Sequence, residues 1–229
     1  MKRLLISAAV ATVISSQVYA ADVSGTVTFA NDYRYRGTSQ TAGDTTLQGS
    51  LDLSLENGIF AGVWGSNVDF GDDANLEIDW YVGYAGSFSE QLSYDATLYY
   101  YQYPGYQAGD IDYAEIAFGL YYGDISLTYQ YADDVIQLSE EGHYLSLNYS
   151  KAITEQISVD LHAGRSFGDY WKQFDIGEYS DFSVGISGNV AGVDLSAAYL
   201  FNDIDSENKV ESGLFRNDNT VLLTVSRTF

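Results

Sequence analysis

Nine carboxylates and two arginines fall on the polar phase of alternating segments in this 229-residue chain. The acids are Asp32, Asp52, Glu77, Asp79, Asp95, Glu115, Asp160, Asp181 and Asp194; the bases are Arg34 and Arg36. A face this acidic can pair with cationic side chains, take up protons or cations, or stay ionised in water. Internal pairing is limited, because Lys+Arg is 10 against Asp+Glu 32, a formal charge of −22. Most of the acids must therefore meet water, and an interior walled by them concentrates cations and repels anions. Arg34 and Arg36 admit two readings: a charged constriction, or an interior salt-bridge ladder that fixes strand register. The long loops carry further acids, including the pairs Asp72-Asp73, Asp133-Asp134 and Glu140-Glu141. None has the spacing of an EF-hand loop, so solvated acids are expected there and no metal site.

Catalytic chemistry has little to work with. There are 2 His and 0 Cys, which excludes thiol catalysis, Cys-ligated zinc and disulfides. His143 falls on the apolar phase among Leu145, Leu147 and Tyr149; His162 falls on the polar phase near the middle of a segment. A Ser–His hydrolase needs a nucleophile and an orienting group beside the histidine. No G-x-S-x-G elbow, phosphate-cradling glycine loop or dinucleotide fingerprint is present. No enzyme and no cofactor are expected. The charge also argues against nucleic acid as a partner, since phosphate binding needs a basic surface.

The elements that position these residues have a period of two. Leu47, Gly49, Leu51, Leu53 and Leu55 alternate with Gln48, Ser50, Asp52 and Ser54; Leu76, Ile78, Trp80, Val82 and Tyr84 alternate with Glu77, Asp79, Tyr81 and Gly83. Ile157 to Gly164 and Asp181 to Ser187 repeat the pattern. Strands place successive side chains on opposite faces, so each segment has one apolar and one polar face. The pattern predicts twelve strands, near 22–36, 46–56, 59–66, 75–86, 92–102, 112–122, 125–132, 142–150, 156–166, 179–188, 193–201 and 219–229. Connections alternate between tight turns, with Asn57-Gly58 as a type I′ signal, and longer acidic loops. Short turns on one side, long loops on the other and an apolar face almost free of charge predict a transmembrane antiparallel up-and-down β-barrel. Trp80, Tyr84, Tyr94, Tyr149, Tyr199, Phe201 and Phe229 share the apolar phase near strand ends and suit interfacial girdles. Tyr81, Tyr99, Tyr101 and Tyr121 share the polar phase and are expected to fill space. Twelve strands leave a narrow interior.

Residues 1–20 read as a Sec signal peptide: Lys2-Arg3, an apolar run from Leu4 to Ile14, and Val18-Tyr19-Ala20 before a cut. The apolar run is too short to span a bilayer. The barrel would then occupy 21–229. Its last strand, TVLLTVSRTF, places Val221, Leu223, Val225 and Phe229 on one phase, with Arg227 where an apolar residue is usual.

Asp32-Tyr33-Arg34-Tyr35-Arg36-Gly37-Thr38-Ser39-Gln40, together with the terminal Phe229, resembles the N-terminal hallmark and chain end of the TorF-type porin-like family of Gram-negative bacteria. The resemblance implies an outer-membrane barrel whose first strand this run closes, with Phe229 as an assembly signal read by the barrel-assembly machinery. It leaves the transported solute open. The expected partners are outer-membrane lipid, lipopolysaccharide and that machinery. Small hydrophilic solutes, cationic ones among them, would cross a narrow acidic lumen. A non-conducting structural or adhesive barrel displaying acidic loops is the alternative, with a barrel hydrolase behind it.

Overall fold

Alternating polarity satisfies both faces of a strand only if one side meets apolar surroundings and the other meets water or polar partners, and closing the sheet leaves no unpaired edge. The computed structural model describes residues 21–229; the expected leader at 1–20 lies outside the described residues. The chain forms β1 (Ala21–Ala30), β2 (Arg34–Tyr35), β3 (Thr38–Ser39), β4 (Thr46–Leu55), β5 (Ile59–Asn67), β6 (Leu76–Ser87) and β7 (Leu92–Gln102). There follow β8 (Tyr113–Tyr122), β9 (Ile125–Ala132), β10 (Gly142–Ala152), β11 (Ile157–Phe167), β12 (Tyr179–Val190), β13 (Val193–Asn202) and β14 (Thr220–Thr228). All but β2 and β3 pair in chain order, and β1 closes the sheet against β14, giving a twelve-stranded antiparallel barrel. The one short α-helix of the described residues, α1 (Asp169–Lys172), lies in the loop before β12.

The apolar phase faces outward. Leu47, Leu51, Val184 and Leu223 are more than half exposed, while Asp52, Glu77, Glu115 and Asp181 on the opposite phase are buried. Trp80, Tyr84, Tyr149, Tyr199, Phe201 and Phe229 are all exposed on the outer side, and Phe182 stacks on Phe201 at 5.2 Å. Such a surface is stable only against acyl chains.

Two expectations need correction. Asn57-Gly58 is not a type I′ turn. Only Gly58 of the two takes positive φ (+90°), and its N–H donates to the carbonyl of Leu55 at 3.0 Å. This is the three-residue hairpin with a left-handed glycine. The larger correction concerns Asp32, Arg34 and Arg36. The first strand does not run to residue 36; the wall strand stops at Ala30. Asn31 ends it, its amide hydrogen-bonding Val221 O at 2.9 Å and Leu223 N at 2.7 Å. The chain then forms a separate hairpin, β2–β3, with Arg34 opposite Ser39 and Tyr35 opposite Thr38. Arg36 (φ +49°) and Gly37 (φ +83°) make its two-residue turn. Two successive left-handed residues are the signature of type I′. The alternation of Asp32, Arg34 and Arg36 therefore belongs to an inturned segment, not to a wall strand.

Candidate functional site

The hairpin is held inside the barrel by polar contacts that use every strong donor of Arg34. Its Nε donates to Asp32 Oδ2 at 2.5 Å, its Nη2 to Asp218 Oδ1 at 3.0 Å, and its Nη1 to the carbonyls of Gly37 and Arg216. Asp32 also accepts from Ser39 Oγ (2.6 Å) and Thr41 Oγ1 (3.0 Å). Asp218 sits in the loop before β14. Burial alone would raise its carboxyl, but hydrogen bonds from Arg216 and Arg34 outweigh it and hold the group below the usual aspartate range. Arg34 thus ties two loops together.

Arg36, at the hairpin tip, crosses the interior. Its carbonyl accepts from Tyr179 Oη on β12 at 2.8 Å. Its Nη2 donates to Glu115 Oε2 on β8 at 2.6 Å. Its guanidinium lies 4.6 Å from the rings of both Tyr35 and Tyr144. Glu115 is completed by Tyr101 Oη (3.0 Å) and Gln130 Nε2 (2.7 Å). A positive φ at a non-glycine residue costs about 1–2 kcal/mol, and here these contacts hold Arg36 in that conformation.

Behind the hairpin lies a polar cluster that spacing alone does not reveal. His162 Nδ1 is 2.6 Å from Asn148 Oδ1, and its Nε2 is 3.0 Å from both Asp181 Oδ1 and Tyr144 Oη. Gly164 makes the cluster possible: a Cβ there would stand 2.7 Å from Asp181 Oδ2 and collide with the Tyr144 hydroxyl. Register supplies the one signal that points to it, because the tight β10–β11 turn sets Asn148 opposite His162.

Two cavities bear on a passage through the barrel. One of about 300 Å³ lies between the hairpin and the far wall, with Arg36, Tyr144, His162 and Asp181 on one side and Ala198, Leu200 and Leu222 on the other. The second, about 940 Å³, opens at the tight-turn end. Its ionisable carboxyl groups are Glu56, Asp95 and Asp124, and no basic side chain lines it. Asn148 lines this vestibule and is hydrogen-bonded to His162 of the inner chamber, so the two spaces adjoin there.

The polar-phase acids divide accordingly. Glu77, Asp79, Glu115 and Asp181 lie near the long-loop ends of their strands and are buried. Asp52 is buried and accepts from Tyr81 Oη at 2.5 Å and Ser50 Oγ at 2.7 Å. Asp95 is half-buried and accepts from Tyr121 Oη and Thr97 Oγ1. Asp160 is half-buried beside Ser150, and Asp194 is exposed at the turn-side rim beside Asn189. Tyr81 and Tyr101 are buried, and Tyr99 stacks on Tyr101. The interior is thus less uniformly wet than the charge count predicts, because tyrosine hydroxyls take over much of the pairing. His143 faces outward, with Nδ1 2.7 Å from Tyr129 Oη, Nε2 3.3 Å from Glu141, and its ring stacked on Phe167 at 4.8 Å.

Solved structures share this architecture at very low identity. The NanC porin aligns at TM-score 0.57 and 9% identity, covering 91% of this chain and 99% of that one. A chain from work on the in-meso crystallisation of membrane proteins aligns at TM-score 0.55 and 10% identity, covering 90% and 83%. Both share the fold. No curated protein matches the chain by sequence. A family model covers residues 16–229, all of the described barrel, and the chain belongs to that family, described as bacterial protein of unknown function (Gcw_chp).

Proposed function

We propose that the protein is a narrow, cation-preferring channel of the bacterial outer membrane, exported through the Sec pathway and passing small hydrophilic solutes. The observation that carries the reading is the turn-side vestibule, where Glu56 and Asp95 face the space and no basic side chain does, Asp124 beside them being paired with Lys151 Nζ at 2.5 Å. Fixed anionic walls around a confined aqueous space raise local cation concentration. The route runs from this vestibule past Asn148 and His162 into the chamber beside Arg36. Asp52, Asp95, Asp160, Asp181 and Asp194 line or flank it, while Asp32 and Arg34 fasten the hairpin. The porin-like fold and the TorF-type resemblance of residues 30–41 support the same assignment. Phe229 is the residue for the assembly machinery to read, and outer-membrane lipid and lipopolysaccharide meet the apolar exterior.

One observation favours a second reading. The inturned hairpin, whose Tyr35 meets Tyr101 edge-on with Tyr113 stacked behind, occupies the interior of the long-loop half. A barrel stopped there would be structural and would display its acidic loops. Planar-bilayer recording of the purified mature chain separates the two. Steady conductance with a reversal potential favouring cations is expected; silence at all potentials would establish the stoppered barrel instead.

A further inference from the structure

Glu77 and Asp79 are buried carboxylates without a counterion. Both project inward from β6, two residues apart, and are 3% and 9% exposed. Tyr103 Oη donates to Glu77 Oε1 at 3.3 Å. Glu77 Oε2 and Asp79 Oδ1 are buried and have no hydrogen-bond partner among the described residues. The two arginines inside the barrel are committed elsewhere: Arg34 to Asp32 and Asp218, Arg36 to Glu115. An ionised carboxylate removed from water needs an opposite charge, and a pair on one face needs it more.

We propose that Glu77 and Asp79 together hold a hard divalent cation of calcium size. Residues two apart on one face of a strand have Cα atoms roughly 6.6 Å apart, so both side chains reach a single ion at Ca–O distances of about 2.3–2.6 Å. The donors are carboxylate oxygens with no histidine or sulfur, which selects a hard ion. Calcium accepts an irregular oxygen set completed by water, whereas magnesium demands a near-ideal octahedron. The loop side is sealed by Tyr33, Val68 and Ala74, with Trp64 and Phe70 packed against them. The ion is therefore resident, entering from the lumen and bracing the β5–β7 wall, and is distinct from ions passing the vestibule.

The test uses the full mature barrel in detergent, stripped with a chelator and titrated with Tb³⁺ while exciting Tyr33, Trp64 and Tyr103. Saturable sensitised emission that Ca²⁺ displaces is expected, together with a Ca²⁺-dependent rise of several degrees in the unfolding temperature. Both are lost in the Glu77→Gln/Asp79→Asn variant, whose neutral side chains keep the shape of the site. The wild-type arm decides even if that variant fails to fold: no Ca²⁺-displaceable emission overturns the proposal. Emission equal in a folded variant overturns it too, because loop acids would then be the binders. Bilayer selectivity is read separately, so a cation-preferring conductance without the Tb³⁺ signal would sink the resident ion and leave the channel standing.

Discussion

At the long-loop end Glu115 and Asp181 are 2% and 5% exposed, and each is met by a guanidinium, an amide, a hydroxyl or an imidazole. At the turn end Asp160 and Asp194 carry the same group with only Ser150 and Asn189 beside them. The two halves of one lumen thus use carboxylates for opposite purposes. In the crowded half a carboxylate is a fixed acceptor that gives the inturned hairpin a unique seat. In the open half it is left with a single polar neighbour, and in the proposed channel it would act on ions at a distance through water. Residue type does not decide which role an acid plays; what lies across the barrel does.

Arg34→Ala should break this contrast most severely. It removes both ion pairs of Arg34 and leaves Asp32 buried without a counter-charge, which costs about 3–5 kcal/mol. Urea unfolding, followed by the shift of the folded band in unheated gel electrophoresis, checks the stability. Larger and noisier single-channel currents should report the freed hairpin. Gly164→Ala comes next. The added methyl displaces the Tyr144 hydroxyl from Asp181, an overpacking cost of about 1–3 kcal/mol, read in the same unfolding assay.

The open half is tested by charge, not stability. Asp95→Asn with Asp160→Asn should shift the reversal potential toward zero in a salt gradient, with a stability cost of about 0.5–1.5 kcal/mol because the amide oxygens can still accept from Tyr121, Thr97 and Ser150. The difference from wild type should shrink at high salt, where the screening length falls to about 3 Å at 1 M. An unchanged reversal potential at low salt would remove Asp95 and Asp160 from selectivity.

Acid should loosen the crowded half late. The Asp218 carboxyl lies below its ordinary range when folded. Its contribution is therefore fully present above the unfolded value, about 3.9, and is lost as pH falls through the lower folded value. Current noise recorded between pH 7 and pH 3 should stay flat until pH drops below that ordinary value, and a hairpin that loosened above it would contradict the Asp218 anchor.

Much of the wall was legible in the sequence. Leu47 to Leu55 and Leu76 to Tyr84 declare their faces by period alone, and Asn189–Gly192 or Gly123-Asp124 can only be tight connections. Given a tight turn after Ala152, even the Asn148–His162 pairing follows from counting back along both strands. What could not be read was the fate of residues 31–45. Asp32, Arg34 and Arg36 continue the alternation of β1 without a break, because a short hairpin has the same period as the strand it follows. Arg36-Gly37 carried a turn signal only in its glycine, and the arginine before it takes a conformation that its own residue type disfavours. The partners Glu115, Tyr144 and Tyr179 lie far along the chain, and only barrel closure brings them to the hairpin tip.

The seam where the cylinder shuts has a consequence for biogenesis. β1 matches β4 along its whole length, from Ala21–Leu55 to Ala30–Thr46, yet meets β14 in register only from Thr26–Thr228 to Ala30–Thr224. Gly25 and Phe229 exchange backbone hydrogen bonds below that stretch, and Asn31 clamps Val221 and Leu223 above it. The seam is thus the shortest stitch in the ring, and it is where the wall can part with the least loss of pairing while the hairpin takes its seat.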